Sequence, residues 1–193
     1  MAFDPDFWGC IVLSLIPILI LTVVFLVRRG NVWRYIFEAA LAVYLIFAAS
    51  YTICPIYFYG PIRESFIENG WKLRDCIYLV PFTDGISLDD LLNVVLTFPL
   101  GFLLPLVKKR FIWKHAAIAG LIFGFGVELM QLLTAAFQGF TFKYVDVSDV
   151  ICNFIGTMLG WLVIAAFILL AQRLYKDTKN SSIVGYITER NVK

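Results

Sequence analysis

Along the 193-residue chain the polar positions gather into short clusters separated by long apolar runs. A helix that crosses ~30 Å of hydrocarbon needs about 20 mostly apolar residues. Five segments meet that requirement, at about 7–27, 35–53, 88–107, 115–134 and 148–171. The pattern predicts an all-α polytopic membrane bundle of five transmembrane helices occupying residues 1–176, with a long outer loop at 54–87 and a polar tail at 177–193. The first helix reads as permanent and not as a cleaved signal, because Asp4 and Asp6 stand where a basic region would be and no small-x-small site precedes Arg28 and Arg29. Pro17 predicts a kink in it.

The third helix carries Pro99, Gly101 and Pro105. Each proline removes a backbone donor and frees the carbonyl four residues earlier, those of Val95 and Gly101, which must find partners elsewhere. Such a segment either spans as a broken helix or is re-entrant, and in the second case the later topology inverts. In the outer loop, Phe66-Ile67-Glu68-Asn69-Gly70-Trp71-Lys72-Leu73-Arg74 alternates aromatic and charged residues, as an amphipathic segment lying at the interface would, placed to lid whatever lies beneath. The tail, rich in Lys, Asn, Ser and Thr, reads as a mobile cytoplasmic end.

Composition confirms the class and excludes others. Hydrophobic residues make up 61%, charged residues 16%, and mean hydropathy is +0.83, against roughly 45–50% apolar and ~25% charged in soluble domains. A soluble enzyme, a disordered chain and a secreted disulfide scaffold are excluded. A net charge of +2 without a basic stripe excludes nucleic-acid binding. The placement of the 16 cations says more than their number. Twelve flank one side: Arg28, Arg29, Arg34, Lys108, Lys109, Arg110, Lys114, Arg173, Lys176, Lys179, Arg190 and Lys193. Only Arg63, Lys72, Arg74 and Lys143 flank the other. Since Lys and Arg favour cytoplasmic flanks, the expected orientation is N-out, C-in.

Ionisable groups inside spans are costly and mark candidate sites. Glu128 interrupts the fourth span with Gln131 on the same face, and Gly124, Gly120 and Ala116 continue a small-residue stripe below it. The fifth span repeats the construction. Asp149, Asn153, Gly156 and Gly160 share one face, Gly156 and Gly160 form a GxxxG, and Asp146 or Ser148 can cap the helix start. The third opens with Asp89, Asp90 and Asn93, with Thr97 one turn on. At 1.5 Å per residue, Asn93, Asn153 and Glu128 all lie roughly 5–8 Å below their outer helix ends. Three helices therefore bring polar residues to one level, in the outer leaflet. The expected binding residues are Asn93, Glu128, Gln131, Lys143, Asp146, Asp149 and Asn153. A buried Glu128 must be protonated, paired or bound to a cation, and Lys143, Arg63, Lys72 and Arg74 are its candidate partners. The alternative for the amides is that they serve as hydrogen-bond glue between helices.

His115, the single histidine, lies in the basic flank Lys108–Lys114, where it reads as an interfacial anchor. Ser-His-acid catalysis and a GxSxG elbow are thereby excluded. Cys10 and Cys152 fall inside helices. Cys54 and Cys76 share the outer loop, either as a disulfide or as two thiols. No CxxC pair or zinc spacing occurs, so no metal or other cofactor is expected.

Asn93 with Phe98-Pro99-Leu100-Gly101, then Glu128-Leu129-Met130-Gln131, then Lys143 with Asp146, Asp149, Asn153 and Gly156 resemble the VanZ-like family over roughly residues 40–170, with Pro81-Phe82 also fitting. The resemblance implies a small polytopic protein of the bacterial cytoplasmic membrane, associated with resistance to teicoplanin-type glycopeptides, whose target is the cell-wall precursor outside the membrane. It supplies no catalytic residues. Lys143 departs from the family's usual Arg, replacing a planar bidentate clamp by a point charge. Three functions are compatible with the sequence. The preferred one is a non-enzymatic envelope protein whose outer polar site meets membrane lipid headgroups, a lipid-linked cell-wall precursor, a glycopeptide or a partner protein. The second is a membrane enzyme holding a divalent cation on Glu128, Asp146 and Asp149. A small transporter is the third, disfavoured by the lack of an inverted repeat.

Overall fold

The computed structural model describes residues 2–28, 30–83, 85–175, 183–190 and 192. Five long helices dominate it: α1 (Phe7–Arg28), α2 (Val32–Ile53), α4 (Leu88–Val107), α5 (Trp113–Gln138) and α6 (Val147–Leu174). Each is long and apolar enough to cross a membrane, so the all-α polytopic bundle expected from the hydrophobic pattern is present. Two short helices, α3 (Pro61–Glu68) and α7 (Ile183–Thr188), complete the set.

Local chemistry sets the helix ends. Asn31 accepts from the Trp33 and Arg34 amides and starts α2. Ser87 starts α4 in a capping box, its hydroxyl accepting from the Asp90 amide while the Asp90 carboxylate accepts from the Ser87 amide. Asp146 caps α6 through the Ser148 amide. Gly139, at φ +75°, ends α5 in the left-handed region.

Alternating direction puts both the N-terminus and the 54–87 loop at one end, here called the loop end. The two-residue strand β1 (Ala2–Phe3) pairs antiparallel there with β2 (Ile56–Tyr57). Strands β3 (Ile77–Tyr78) and β4 (Val145–Asp146) pair in parallel at the same end. The four cations at this end are Arg63, Lys72, Arg74 and Lys143, and the other described ones lie at the opposite end.

The third span is a continuous helix through both prolines. A hydroxyl arrives from α2, Tyr44 donating to the Leu96 carbonyl at 2.9 Å, one residue from the carbonyl that Pro99 frees. Helices α4 and α6 run parallel and form the tightest pair, because glycines let backbone meet backbone. A Cβ built on Gly101 would lie 1.8 Å from the Thr157 carbonyl oxygen, one on Gly156 2.2 Å from that of Val94, and one on Gly160 2.0 Å from that of Phe98. The small-residue stripe of α5 packs on the other flank of α6, with Gly120 against Thr157 and Gly124 against Val150. Helix α1 contacts chiefly α2, joined by the Thr22–Tyr35 hydroxyl pair at 2.8 Å.

Two loop expectations need correction. The 66–74 stretch is not one amphipathic segment. It breaks at Gly70, φ +74°, between α3 and a 3-10 turn at Leu73–Cys76. Phe66 stacks on Phe140 at 4.8 Å, so this region covers the end of α5. The tail differs as well. Residues 176–182 lie outside the described ones, but α7 folds back on the bundle. Tyr186 donates to the Leu106 carbonyl at 2.6 Å, Gln172 donates to the Thr188 and Arg190 carbonyls, and Tyr186, Ile187 and Val192 join a core with Ile164, Ile168 and Ala171. The apolar residues of Ile183-Val184-Gly185-Tyr186-Ile187 sit inside an otherwise polar tail, and burying them overrides its composition. Burial pushes the Tyr186 hydroxyl pKa up and the Arg190 guanidinium pKa down.

Candidate functional site

A cavity of about 540 Å³ opens at the loop end where α4, α5 and α6 meet. Its walls come from α4 (Asp89, Asp90, Asn93), α5 (Gln131) and the start of α6 (Ser148, Asp149). Two loops close the rim, bringing Tyr78 and Phe82 from one side and Phe142, Lys143, Tyr144 and Asp146 from the other. Of the seven residues expected to bind, five line this space: Asn93, Gln131, Lys143, Asp146 and Asp149. Glu128 and Asn153 do not. They sit one turn deeper, 5% and 1% exposed, beneath the floor.

Asn93 on α4 and Asp149 at the start of α6 line the same cavity. Other polar groups are positioned by neighbours. Asp90 is held by its capping box, with the Cys152 thiol 3.9 Å from its second oxygen. Glu128 Oε2 accepts from the Asp146 amide at 2.8 Å, which ties α5 to the cap of α6. Gln131 Nε2 donates to the Thr52 carbonyl at 3.0 Å. The remaining oxygens of these side chains, Glu128 Oε1, Gln131 Oε1 and Asn153 Oδ1, are buried without a partner.

The expected ion pair of Glu128 does not form among the described residues. Lys143 Nζ donates to the Tyr51 carbonyl at 3.2 Å and lies 5.3 Å over the Tyr51 ring. Arg63 donates to the Gln138 carbonyl, and Arg74 pairs with Asp75. All three are spent on holding the loops. Helix α5 also runs four residues beyond the expected end, so Glu128 lies about 15 Å below Gln138 and not 5–8 Å. The polar residues still share a level, because the segment after Gly139 folds back down and starts α6 beside Glu128.

The divalent-cation trio is not assembled. Glu128 faces the Asp146 amide and Asp146 faces the Ser148 amide, and among the described residues no three His, Cys, Asp or Glu side chains converge to hold a metal. His115 lies at the opposite end, its Nδ1 accepting from the Ile112 amide. Cys54 and Cys76 are separate thiols, and burial pushes the pKa of both up.

The residues missing from the sequence reading are the rim aromatics Tyr51, Tyr78, Phe82, Phe142 and Tyr144. Tyr78 and Tyr144 meet edge-to-face at 5.4 Å through the β3–β4 pairing. The Ser148 hydroxyl accepts from the Phe82 amide at 3.0 Å and fixes the first loop to α6.

The sequence model of the VanZ/LLP1 family matches residues 15–170. The chain belongs to the VanZ/LLP1 family. No curated protein and no solved structure matches it. The match covers all of α2 to α5, most of α1 and most of α6. In this VanZ/LLP1 protein the three motif blocks have distinct jobs. Gly101 and Gly156 close the α4–α6 seam, the Glu128–Gln131 block joins α5 to that seam, and Lys143, Asp146 and Asp149 build the cavity's rim and wall.

Proposed function

We propose that this VanZ/LLP1 protein is a non-enzymatic, multi-pass component of the bacterial cytoplasmic membrane. In this reading it contributes to low-level resistance to teicoplanin and lipoglycopeptides by recognising a lipid headgroup, a lipid-linked cell-wall precursor or a partner in its loop-end cavity. The observation that carries this reading is the cavity itself: a polar, acid-lined space of about 540 Å³, within the ~300–1,000 Å³ of ligand sites. The N-out orientation, argued from the cation bias, sets it in the outer leaflet, where glycopeptides and their precursor target meet. An adjacent nucleophile and general base would favour an enzyme. The cavity offers two serines: the Ser148 hydroxyl accepts from the Phe82 amide, the Ser87 hydroxyl is locked with Asp90 in the capping box that starts α4, and the histidine is at the far end.

The test compares teicoplanin and lipoglycopeptide susceptibility of cells carrying no protein, the wild type, Glu128→Gln or Asn153→Ala. The expected outcome is lower susceptibility with the wild type alone, while both variants accumulate normally in the membrane. Unchanged susceptibility across several glycopeptides on deletion would refute the resistance role. Variants that protect as well as the wild type would reduce the cluster to packing.

A further inference from the structure

Cations at the cytoplasmic flanks of a membrane protein are general, and by themselves they fix only an orientation. Their pairing here is more specific. Among the described residues the end opposite the loops holds two carboxylates, Glu38 and Glu189, and both are taken, by Arg34 at 2.7 Å and by Lys109 at 3.3 Å. Lys108, Arg110 and Lys114, on the turn between α4 and α5, are exposed and have no carboxylate partner among the described residues. That turn is pinned to the bundle. Phe111 is buried, its carbonyl accepts from the Trp161 indole at 3.2 Å, and the Ile112 amide donates to His115 Nδ1 at 3.1 Å. The three charges are therefore held together before anything binds.

The turn also forms a ledge. Gly120 of α5 packs on Phe154 and Thr157 of α6, and the two helices run antiparallel, so Trp113, seven residues earlier, lies level with about residue 162 of α6. Helix α6 continues to Leu174, about 18 Å further. Its projecting face, with Ile168 and Ala171, is covered by Tyr186, Ile187 and Val192 of the C-terminal segment. Beside that wall Lys114 heads a stripe of α5 at helical spacing, in which Ile118 is 55% and Ile122 68% exposed. Trp113, exposed at the same level with Lys114 Nζ 5.7 Å from its ring centre, is the kind of residue that marks the membrane interface. Charge thus stands directly over apolar surface, in the order of a phospholipid's phosphate and acyl chain.

From this juxtaposition of uncompensated cations and an exposed apolar stripe we propose that the α4–α5 ledge binds an acidic phospholipid. Arg110 and Lys114 donate to its phosphate, with Lys108 adding charge, and an acyl chain follows Ile118 and Ile122. A zwitterionic lipid brings the same phosphate with a cation of its own, which this cluster repels. A soluble anion leaves the apolar stripe unused. The ledge lies at the end opposite the cavity and is independent of the cavity's role.

The experiment places the full chain in nanodiscs of phosphatidylcholine with a rising fraction of phosphatidylglycerol and follows thermal unfolding by circular dichroism. Phosphatidylglycerol is expected to raise the unfolding midpoint and to saturate. Lys114→Ala should raise the half-saturating fraction about fivefold, the worth of one cation near an anionic surface, and adding Arg110→Ala should abolish saturation, both variants unfolding like the wild type in pure phosphatidylcholine. Arg28→Ala combined with Arg173→Ala removes as much charge from the same end, away from the ledge, and should stay within about twofold of the wild type. Inorganic phosphate added to pure phosphatidylcholine discs should leave the midpoint unchanged. Three results would each overturn the proposal. No rise with phosphatidylglycerol removes the site, equal losses in the two double variants reduce it to bulk surface charge, and a matching rise with inorganic phosphate makes it a site for soluble anions. Glycopeptide susceptibility does not enter this test, so the ledge and the cavity stand or fall separately.

Discussion

Replacing Gly160 by alanine tests how α4 and α6 are held together. In the membrane there is no apolar gain from bringing helices together, so close packing carries the association. The added Cβ would lie 2.0 Å from the Phe98 carbonyl oxygen and 2.9 Å from the Phe102 nitrogen. Ordinary contact begins near 3.4 Å, so the helices must part by about 1.4 Å at that point, and both obstacles are backbone that cannot rotate aside. Overpacking of this kind costs typically 1–3 kcal/mol, and the upper end applies where neither side yields. Alanine returns about 1 kcal/mol of helix propensity, leaving a net loss of about 2 kcal/mol. Gly126 in α5 is the internal control, because nothing lies within 4 Å of its added Cβ. Gly126→Ala should be neutral or stabilising by up to about 1 kcal/mol. Unfolding both variants by SDS titration in mixed micelles, with the wild type alongside, measures the difference. If Gly160→Ala proves as stable as Gly126→Ala, the backbone-to-backbone seam is not what holds α4 on α6.

Ser87→Ala removes the side-chain half of the α4 capping box and should cost about 1 kcal/mol in the same titration. Tyr186→Phe deletes the hydroxyl that reaches the Leu106 carbonyl and should lose about 1 kcal/mol, detectable as earlier proteolysis of the C-terminal segment at unchanged membrane content. In a background with Cys54 replaced by serine, cysteines at Glu68 and at Lys114 should label from opposite sides of sealed cells. Glu68→Cys should react with a membrane-impermeant maleimide from outside, and reaction of Lys114→Cys instead would invert the orientation.

What could be read in the sequence followed regular periodicity. Five spans, the Gly120–Gly124 and Gly156–Gly160 stripes and the shared face of Asp149 and Asn153 all repeat at helical spacing, and all are where that spacing puts them. The end of α5 was not legible, because hydropathy fades near Leu133 while the helix runs on through Thr134-Ala135-Ala136-Phe137-Gln138 until Gly139 turns it. Partners joined across irregular chain were equally hidden. Arg63 reaches the Gln138 carbonyl and Tyr78 meets Tyr144 through loops whose paths no periodicity encodes. The charge of Glu128 marks it within its span, but its partner is a backbone amide, and backbone groups carry no residue type. In the tail, average polarity hides one buried turn around Tyr186.

The parallel pairing of Ile77–Tyr78 with Val145–Asp146 also bears on the order in which the molecule assembles. Parallel strands require a crossover, and here the crossover consists of two whole spans, α4 and α5. The first strand is therefore synthesised long before its mate and waits until both helices have crossed the bilayer and turned back. Closing so long a loop costs entropy that only the completed helix seams repay. The rim of the cavity is thus the last piece to form and, having few bonds of its own, the first to open locally. Backbone amide exchange at Tyr78 and Asp146 would report a finished fold, and occupancy of the cavity would slow it.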